Sequence, residues 1–313
     1  MTQIHSLNDL SLKNTWLAIG VFDGVHRGHQ RMLELLTKGA NAESALSMVL
    51  TFEPHPAEVL GKQLDFKWLS PPPERNRLLS SQGVEHIILQ HFDSDFARIS
   101  AADFMQKVSL HLGLSRLLVG HDFSLGRDRQ GNAAYLTELG RQLGYTVQPV
   151  EPVYDQEGVI SSTRIRQYIR QGKVAEACLD LGRFYSVQGA VVHGDGRGHT
   201  INIPTANLDL PADKLIPANG VYACWAWLAG RRMHAVTNIG TRPTFTSGIQ
   251  VPHVETHILE WSESIYGQDL RLDFVQRLRD EQRFPSVEAL VAQIQTDIGM
   301  ARVILDERKT IDP

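Results

Sequence analysis

The chain has 313 residues, 42% of them hydrophobic and 21% charged, with 31 basic against 35 acidic side chains. That balance excludes a disordered or collagen-like chain, and a net charge of -4 supplies no general attraction to nucleic acid or to an anionic membrane. A prior of ~150 residues per domain predicts two domains.

The opening MTQIHSLNDLSLKN lacks the basic-then-apolar order of a secretory signal, and no apolar run reaches the ~20 residues of a membrane span. The expectation is a cytoplasmic protein whose two cysteines, Cys178 and Cys224, stay reduced. In the first half, apolar runs end at Phe22 (TWLAIGVF), Phe52 (SALSMVLTF), Phe92 (EHIILQHF), Gly120 (RLLVG) and Val150 (YTVQPV), and these read as strands. Helical spacing separates them: Met32, Leu33, Leu35 and Leu36; then Phe104, Met105, Val108 and Leu112; then Leu136 and Leu139. Ser100 and Asp103 read as a capping box at the start of the second of these helices. Strand and helix in alternation predict an α/β fold, a doubly wound parallel sheet over residues 1–183. Such sheets bind ligands beyond the carboxyl ends of their strands, where GVFDGVHRGHQ (20–30), TFEPHP (51–56) and GHDFSLGRDRQGN (120–132) should converge.

The pattern changes near residue 184. SVQGAVVHGD, NGVYACWAWLAG, RMHAVTNIG, PHVETHILEW and DLRLDFVQRLR are β-rich segments between Gly, Asn and Asp turns, as in a small antiparallel barrel spanning residues 184–313. Val287, Leu290, Val291, Ile294, Ile298 and Ala301 then share one face of a terminal helix that should pack on the barrel.

With a helix starting near residue 26, His26 and His29 fall in its first turn, beside unpaired backbone N–H groups and the positive end of the helix dipole. Gly20, Gly24 and Gly28 would let a nucleotide approach the backbone, and Asp23 could orient a histidine or hold a cation. The bland alternative is a glycine-rich turn carrying two exposed or core histidines. Similarly, ISSTRIR (160–166) alone reads as a helix cap with a basic first turn, and the glycines of HGDGRGHTINIPTAN (193–207) as a barrel hairpin.

GVFDGVHRGHQ resembles the HxGH signature of the nucleotidyltransferases, in the form GxFDGxHxGH of bacterial FAD synthetases, and ISSTRIR resembles their ISSTxxR motif. The resemblance implies a Rossmann-like domain in which a flavin phosphate attacks the α-phosphate of ATP and pyrophosphate leaves. It implies His26 and His29 as catalytic residues, Gly20, Phe22, Asp23, Gly28, Ser162, Thr163 and Arg166 as nucleotide contacts, and Phe52, His55, Asp122 and Phe123 as flavin contacts. Ser124 and Leu125 stand where the family often has Arg and Phe.

PTAN, at 204–207, is similar to the ATP and magnesium motif of riboflavin kinases, and GVYA (220–223), NIGTRPTF (238–245), VETHIL (254–259) and RDEQRF (279–284) follow in the order of that module. This implies Gly194, Gly198, Thr205 and Asn207 at the nucleotide, Thr205 and Asn207 at Mg²⁺, Arg279 at the flavin, and Glu255 as the general base. His199, Asn202 and Ile203 replace the family's usual Arg, Gly and aromatic residue, which implies weaker nucleotide affinity. The chain is thus identified as a member of the bacterial bifunctional riboflavin kinase/FAD synthetase family, which implies ATP, riboflavin and FMN as substrates, Mg²⁺ as cofactor, and no nucleic-acid, membrane or obligatory protein partner. Other HxGH enzymes, such as cytidylyltransferases, lack the PTAN barrel. A flavin-binding protein with a decayed kinase half is the alternative from another class.

Overall fold

The computed structural model describes residues 2–4, 7, 10–61, 66–194, 203–243 and 250–308; Gly198, His199, Asn202 and the Thr244-Phe245 end of NIGTRPTF lie outside them. Contacts divide the chain into two compact units, Met1–Ser162 and Thr163–Pro313. Both cysteines are free thiols.

In the first unit, strands β1 (Thr2–Ile4), β2 (Thr15–Ile19), β3 (Leu46–Glu53), β4 (His86–His91), β5 (Leu114–Gly120) and β8 (Thr146–Val150) form one parallel sheet in the order β1-β4-β3-β2-β5-β8. The chain steps outward from β2 through β3 and β4, then crosses to the other side of β2 at β5. The strand order therefore reverses beside β2, which makes its carboxyl end the switch-point crevice. Two-residue ladders, β6 (Ser124–Leu125) with β7 (Gly131–Asn132) and β9 (Tyr154–Asp155) with β10 (Gly158–Val159), shape the later loops.

Alternation along β2 separates two cores. Leu17 and Ile19 pack with α4 (Ala101–Leu112) and α5 (Ala133–Leu143) through Phe104, Val108 and Leu136. Trp16 and Ala18 pack with α1 (Arg27–Ala42) and α3 (Pro72–Ser81) through Leu33, Leu36 and Leu79. Each such fully buried Leu side chain is worth about 2 kcal/mol. Ser100 caps α4 as expected, its Oγ accepting from the Asp103 N–H at 3.1 Å, and the Asp103 carboxylate accepts from the Ser100 hydroxyl at 2.6 Å. Helix α3 has no forerunner in the sequence reading, because PPPERNR looks like a breaker although proline is well accommodated in a first helical turn.

The second unit holds α6 (Ser162–Arg170) after its first residue, α7 (Val174–Leu181) and a closed six-stranded antiparallel barrel. Its strands are β11 (Tyr185–Val192), β12 (Ala206–Asp209), β13 (Gly220–Leu228), β14 (Arg231–Pro243), β15 (Gln250–Ile258) and β16 (Asp269–Arg279), closed in the order β11-β12-β15-β14-β13-β16. The unit boundary precedes the 183/184 division read from the sequence because α6 and α7 cluster with the barrel. GVYACWAWL in β13 shows no polar alternation, since one face points into the barrel and the other lies beneath the terminal helix α8 (Val287–Glu307). Ile298, Ala301 and Leu305 of α8 are buried against Val221, Ala223 and Trp225, whereas Val287 at its start is exposed.

Candidate active sites

Beyond β2 the backbone turns through left-handed φ values at Phe22 (55°), Gly24 (80°) and Val25 (39°). For the two non-glycine residues this costs ~1–3 kcal/mol each, so surrounding contacts must hold them. Phe22 and Val25 are buried in the α1 core, and Val25 N–H donates to Phe22 C=O at 3.1 Å. Asp23, read from the sequence as a histidine partner or cation ligand, directs its carboxylate to the next crossover: Oδ2 accepts from Leu69 N–H at 3.0 Å and Oδ1 from Ser70 N–H at 2.9 Å. Ser70 Oγ in turn accepts from Gly24 N–H at 2.7 Å.

Helix α1 starts after His26, whose ring makes no capping bond. Instead it stacks on His29 with centroids 3.7 Å apart and planes 24° apart, and Phe22 meets His29 edge-on at 5.2 Å. A Cβ on Gly28 would lie 3.1 Å from the His26 ring, so a larger residue there would crowd the pair; Gly20 lies beside the Phe22 ring in the same way. Two imidazoles and the first N–H groups of α1 thus share one helix end at the switch point, an arrangement suited to phosphate. Ser162 Oγ donates to Asp23 C=O at 2.8 Å and ties the start of α6 to this loop. Along α6, Thr163 is exposed and Arg166 buried.

The expected flavin residues are spread around the same edge. His55 caps the short helix α2 (Pro56–Val59), its Nδ1 accepting from Ala57 N–H at 2.9 Å, and stacks on Phe66 at 4.0 Å. Phe52 is a core side chain against Phe92 and Phe96, while Asp122 is exposed and Phe123 packs on that core. A cavity of about 490 Å³ is lined by Gln90, Phe96, Arg98, Phe104 and Arg127, and none of the four expected flavin residues forms its wall. Arg75 escaped the sequence reading, since an arginine in PPPERNR reads as a surface charge. It is fully buried, and its Nη1 donates to Val21 C=O at 3.3 Å and Phe52 C=O at 3.2 Å, joining the loop after β2 to the end of β3. Desolvation pulls its guanidinium down to about 10, opposed by the charges of Asp23 and Glu53.

On the barrel, the hydroxyls of Thr237 and Thr256 meet at 2.9 Å and are fully buried, so the adjacent Asn238 and Glu255 face outward. Register aligns Asn207 of β12, Glu255 of β15 and Asn238 of β14 across three strands. With Thr205, Glu255 lines a cavity of about 500 Å³ bounded by Arg279 of β16 and by Leu290 and Ile294 of α8. This explains why the first turns of α8 are apolar yet unburied. Arg279 is held by the buried Asp297 carboxylate at 2.9 Å and lies over Phe284. His257 Nδ1–H donates to Pro204 C=O at 2.7 Å and fixes the start of PTAN to β15.

Asn207 Oδ1 is buried with no hydrogen-bond partner among the described residues, as a carbonyl oxygen reserved for an external cation or donor would be. A Cβ on Gly194 would fall 2.1 Å from Asn207 Nδ2, so this glycine is required for the close approach. Among the described residues no group of three or more His, Cys, Asp or Glu could hold a metal. A neutral oxygen pair from Thr205 and Asn207 suits Mg²⁺, which keeps most of its waters, and the site residues therefore fit that ion.

Comparison with known proteins follows this division. A family model of FAD synthetases matches residues 9–164, and one of riboflavin kinases matches residues 181–305. Bifunctional riboflavin kinase/FMN adenylyltransferases from Escherichia coli K12 and Bacillus subtilis 168 are 35% and 32% identical. These matches cover 96% and 95% of this chain, and 95% and 94% of the relatives. A crystal structure described as a macrolide-efflux protein from Streptococcus pneumoniae superposes with a TM-score of 0.89 at 34% identity, covering 96% of this chain and 98% of that one. Among the described residues no helix is long and apolar enough to cross a membrane.

Proposed function

Since the chain belongs to the family of bifunctional riboflavin kinase/FMN adenylyltransferases, we propose that residues 184–313 carry the kinase step and residues 1–183 the adenylylation, at the two sites described above. The protein is an ATP-dependent transferase of flavin cofactor synthesis: riboflavin and ATP give FMN and ADP, and FMN with a second ATP gives FAD and pyrophosphate. On this reading Ser162, Thr163 and Arg166 serve the adenylylation.

The observation that carries the assignment is the barrel cavity that brings Thr205, Glu255 and Arg279 together under α8. Glu255 takes the proton of the ribityl 5'-hydroxyl as its oxygen attacks the γ-phosphorus, and the bond to the ADP oxygen breaks. Arg279, immobilised by Asp297, and the apolar face of α8 hold the flavin. Thr205 and Asn207 are the ligands that would hold Mg²⁺, with Gly194 keeping the Asn207 amide in place. The ion, when bound, neutralises phosphate charge.

In the first unit the terminal phosphate oxygen of FMN attacks the α-phosphorus of ATP, and the bond to pyrophosphate breaks. The α1 N–H groups and the His26-His29 pair stabilise the charge that accumulates on the phosphoryl oxygens. Ser162, Thr163 and Arg166 hold the β- and γ-phosphates. Asp23 acts by locking the loop, Gly20, Phe22 and Gly28 by shaping it. The flavin rests near His55, Asp122 and Phe123, with Phe52 supporting from the core. The working environment in this reading is the cytoplasm, on small molecules, without nucleic acid, membrane or obligatory protein partner.

The test is chromatography of flavins formed from riboflavin or from FMN with ATP and Mg²⁺. FAD from both substrates is expected, and no FMN from riboflavin would refute the kinase site.

A further inference from the structure

The proposed base has a neighbour that neither the motif nor the cavity accounts for. His253 lies two residues before Glu255 on β15, so both side chains leave the outer face of the same strand. His253 Nε2 and Glu255 Oε1 are 2.7 Å apart, and each side chain is 26% exposed. An ionised carboxylate only accepts hydrogen bonds, so the imidazole donates through Nε2–H. At that length the bond is of the charge-assisted kind, stronger than one between neutral groups.

We propose that His253 is a positioning residue for the kinase reaction, holding the Glu255 carboxylate in the plane from which it removes the ribityl proton. The inference rests on the assignment of Glu255 as the base. A glutamate reaching from a strand toward a cavity has three rotatable side-chain bonds, and a base that must be found in one orientation loses rate in proportion to the time spent elsewhere. Across β12 and β14 the register partners of Glu255 are the neutral Asn207 and Asn238. Opposite His253 on β14 is Gly240, against which the Glu281 carboxylate is seated: a Cβ on that glycine would be 2.4 Å from Glu281 Oε1. Glu281 is itself held by Asn219 Nδ2 at 3.1 Å. Lysine or arginine at the same distance would set a fixed positive charge against the carboxylate, stabilise it and weaken it as a base.

The full-length enzyme tests this through FMN formation from riboflavin. His253→Ala should lower kcat about tenfold, equivalent to about 1.4 kcal/mol, with KM for riboflavin and ATP held within about twofold. His253→Gln restores an N–H at the ε position and should recover kcat to within about threefold of the parent. In a Glu255→Gln background, adding His253→Ala should cost nothing further. FAD formation from FMN by the same preparation, together with its melting curve, reports whether the variant is folded. Parent-like kcat in His253→Ala, failure of His253→Gln to rescue, or an equal loss in the Glu255→Gln background would each overturn the positioning role while leaving the base in place. Glu255→Gln with undiminished FMN formation would instead remove the base assignment, and the role of His253 with it.

Discussion

On the proposed function, the loop after β2 and the outer face of β15 would bring phosphate chemistry to a protein surface in opposite ways. The loop is contiguous, residues 20–30, and combines backbone features, its left-handed turns and the N–H groups of α1, with two side-chain imidazoles stacked by local geometry. The barrel face gathers residues 194, 205, 207, 255 and 279 from separate segments, and strand register alone aligns Asn207 with Glu255. A loop site of this kind depends on strained conformations that the core must hold. A register site depends on side chains that each need their own restraint, as His257 restrains Pro204 and Asp297 restrains Arg279.

The sharpest way to break this contrast is to disable each site by one atom-scale change and ask whether the other notices. Glu255→Gln should depress FMN formation about 10³-fold by removing the base, with FAD formation from FMN unaltered. His29→Ala should depress FAD formation about 10²-fold, with FMN formation unaltered. Separate assays of the two half-reactions read both results, and cross-inhibition would show that the sites are not independent. A smaller effect is expected where the barrel relies on close approach. Gly194→Ala pushes on the Asn207 amide and should raise the Mg²⁺·ATP concentration needed for half-maximal FMN formation about tenfold, sparing FAD formation.

The smallest effect separates scaffold from site within the first unit. Glu85, just before β4, accepts from Ser47 N–H at 2.8 Å and Ser47 Oγ at 2.9 Å, and these bonds hold its carboxyl below the ordinary value of 4.5. A lowered folded-state value stabilises the fold above the ordinary value, and the contribution fades as pH falls through the lowered one. Glu85→Gln should lower the melting temperature at pH 7 by about 2 °C and converge with the parent in acid, with adenylylation unchanged. An altered FAD rate would show that the start of β3 and β4 and the loop are coupled.

Much of this was legible in the sequence. Five of the six parallel strands announce themselves as apolar runs, but β1 is three residues long and carries no readable period. GVFDGVHRGHQ showed its histidines and glycines because the site is local. Glu255 and PTAN were legible only through family resemblance, since nothing in the order of residues shows that positions 207 and 255 are strand neighbours. The partners of Asp23 were illegible for the same reason: Leu69 and Ser70 contribute backbone N–H groups, which every residue has. His253 could have been found by its two-residue spacing from Glu255, the period of a strand.

Arg75 joins the carbonyls of Val21 and Phe52 from one helix, with no exposed surface of its own. Local opening at either Val21 or Phe52 would deprive a buried cation of one of these two acceptors, which couples the opening of the two segments energetically. The contact between the two segments thus runs through a single buried side chain of α3, well separated in sequence from both.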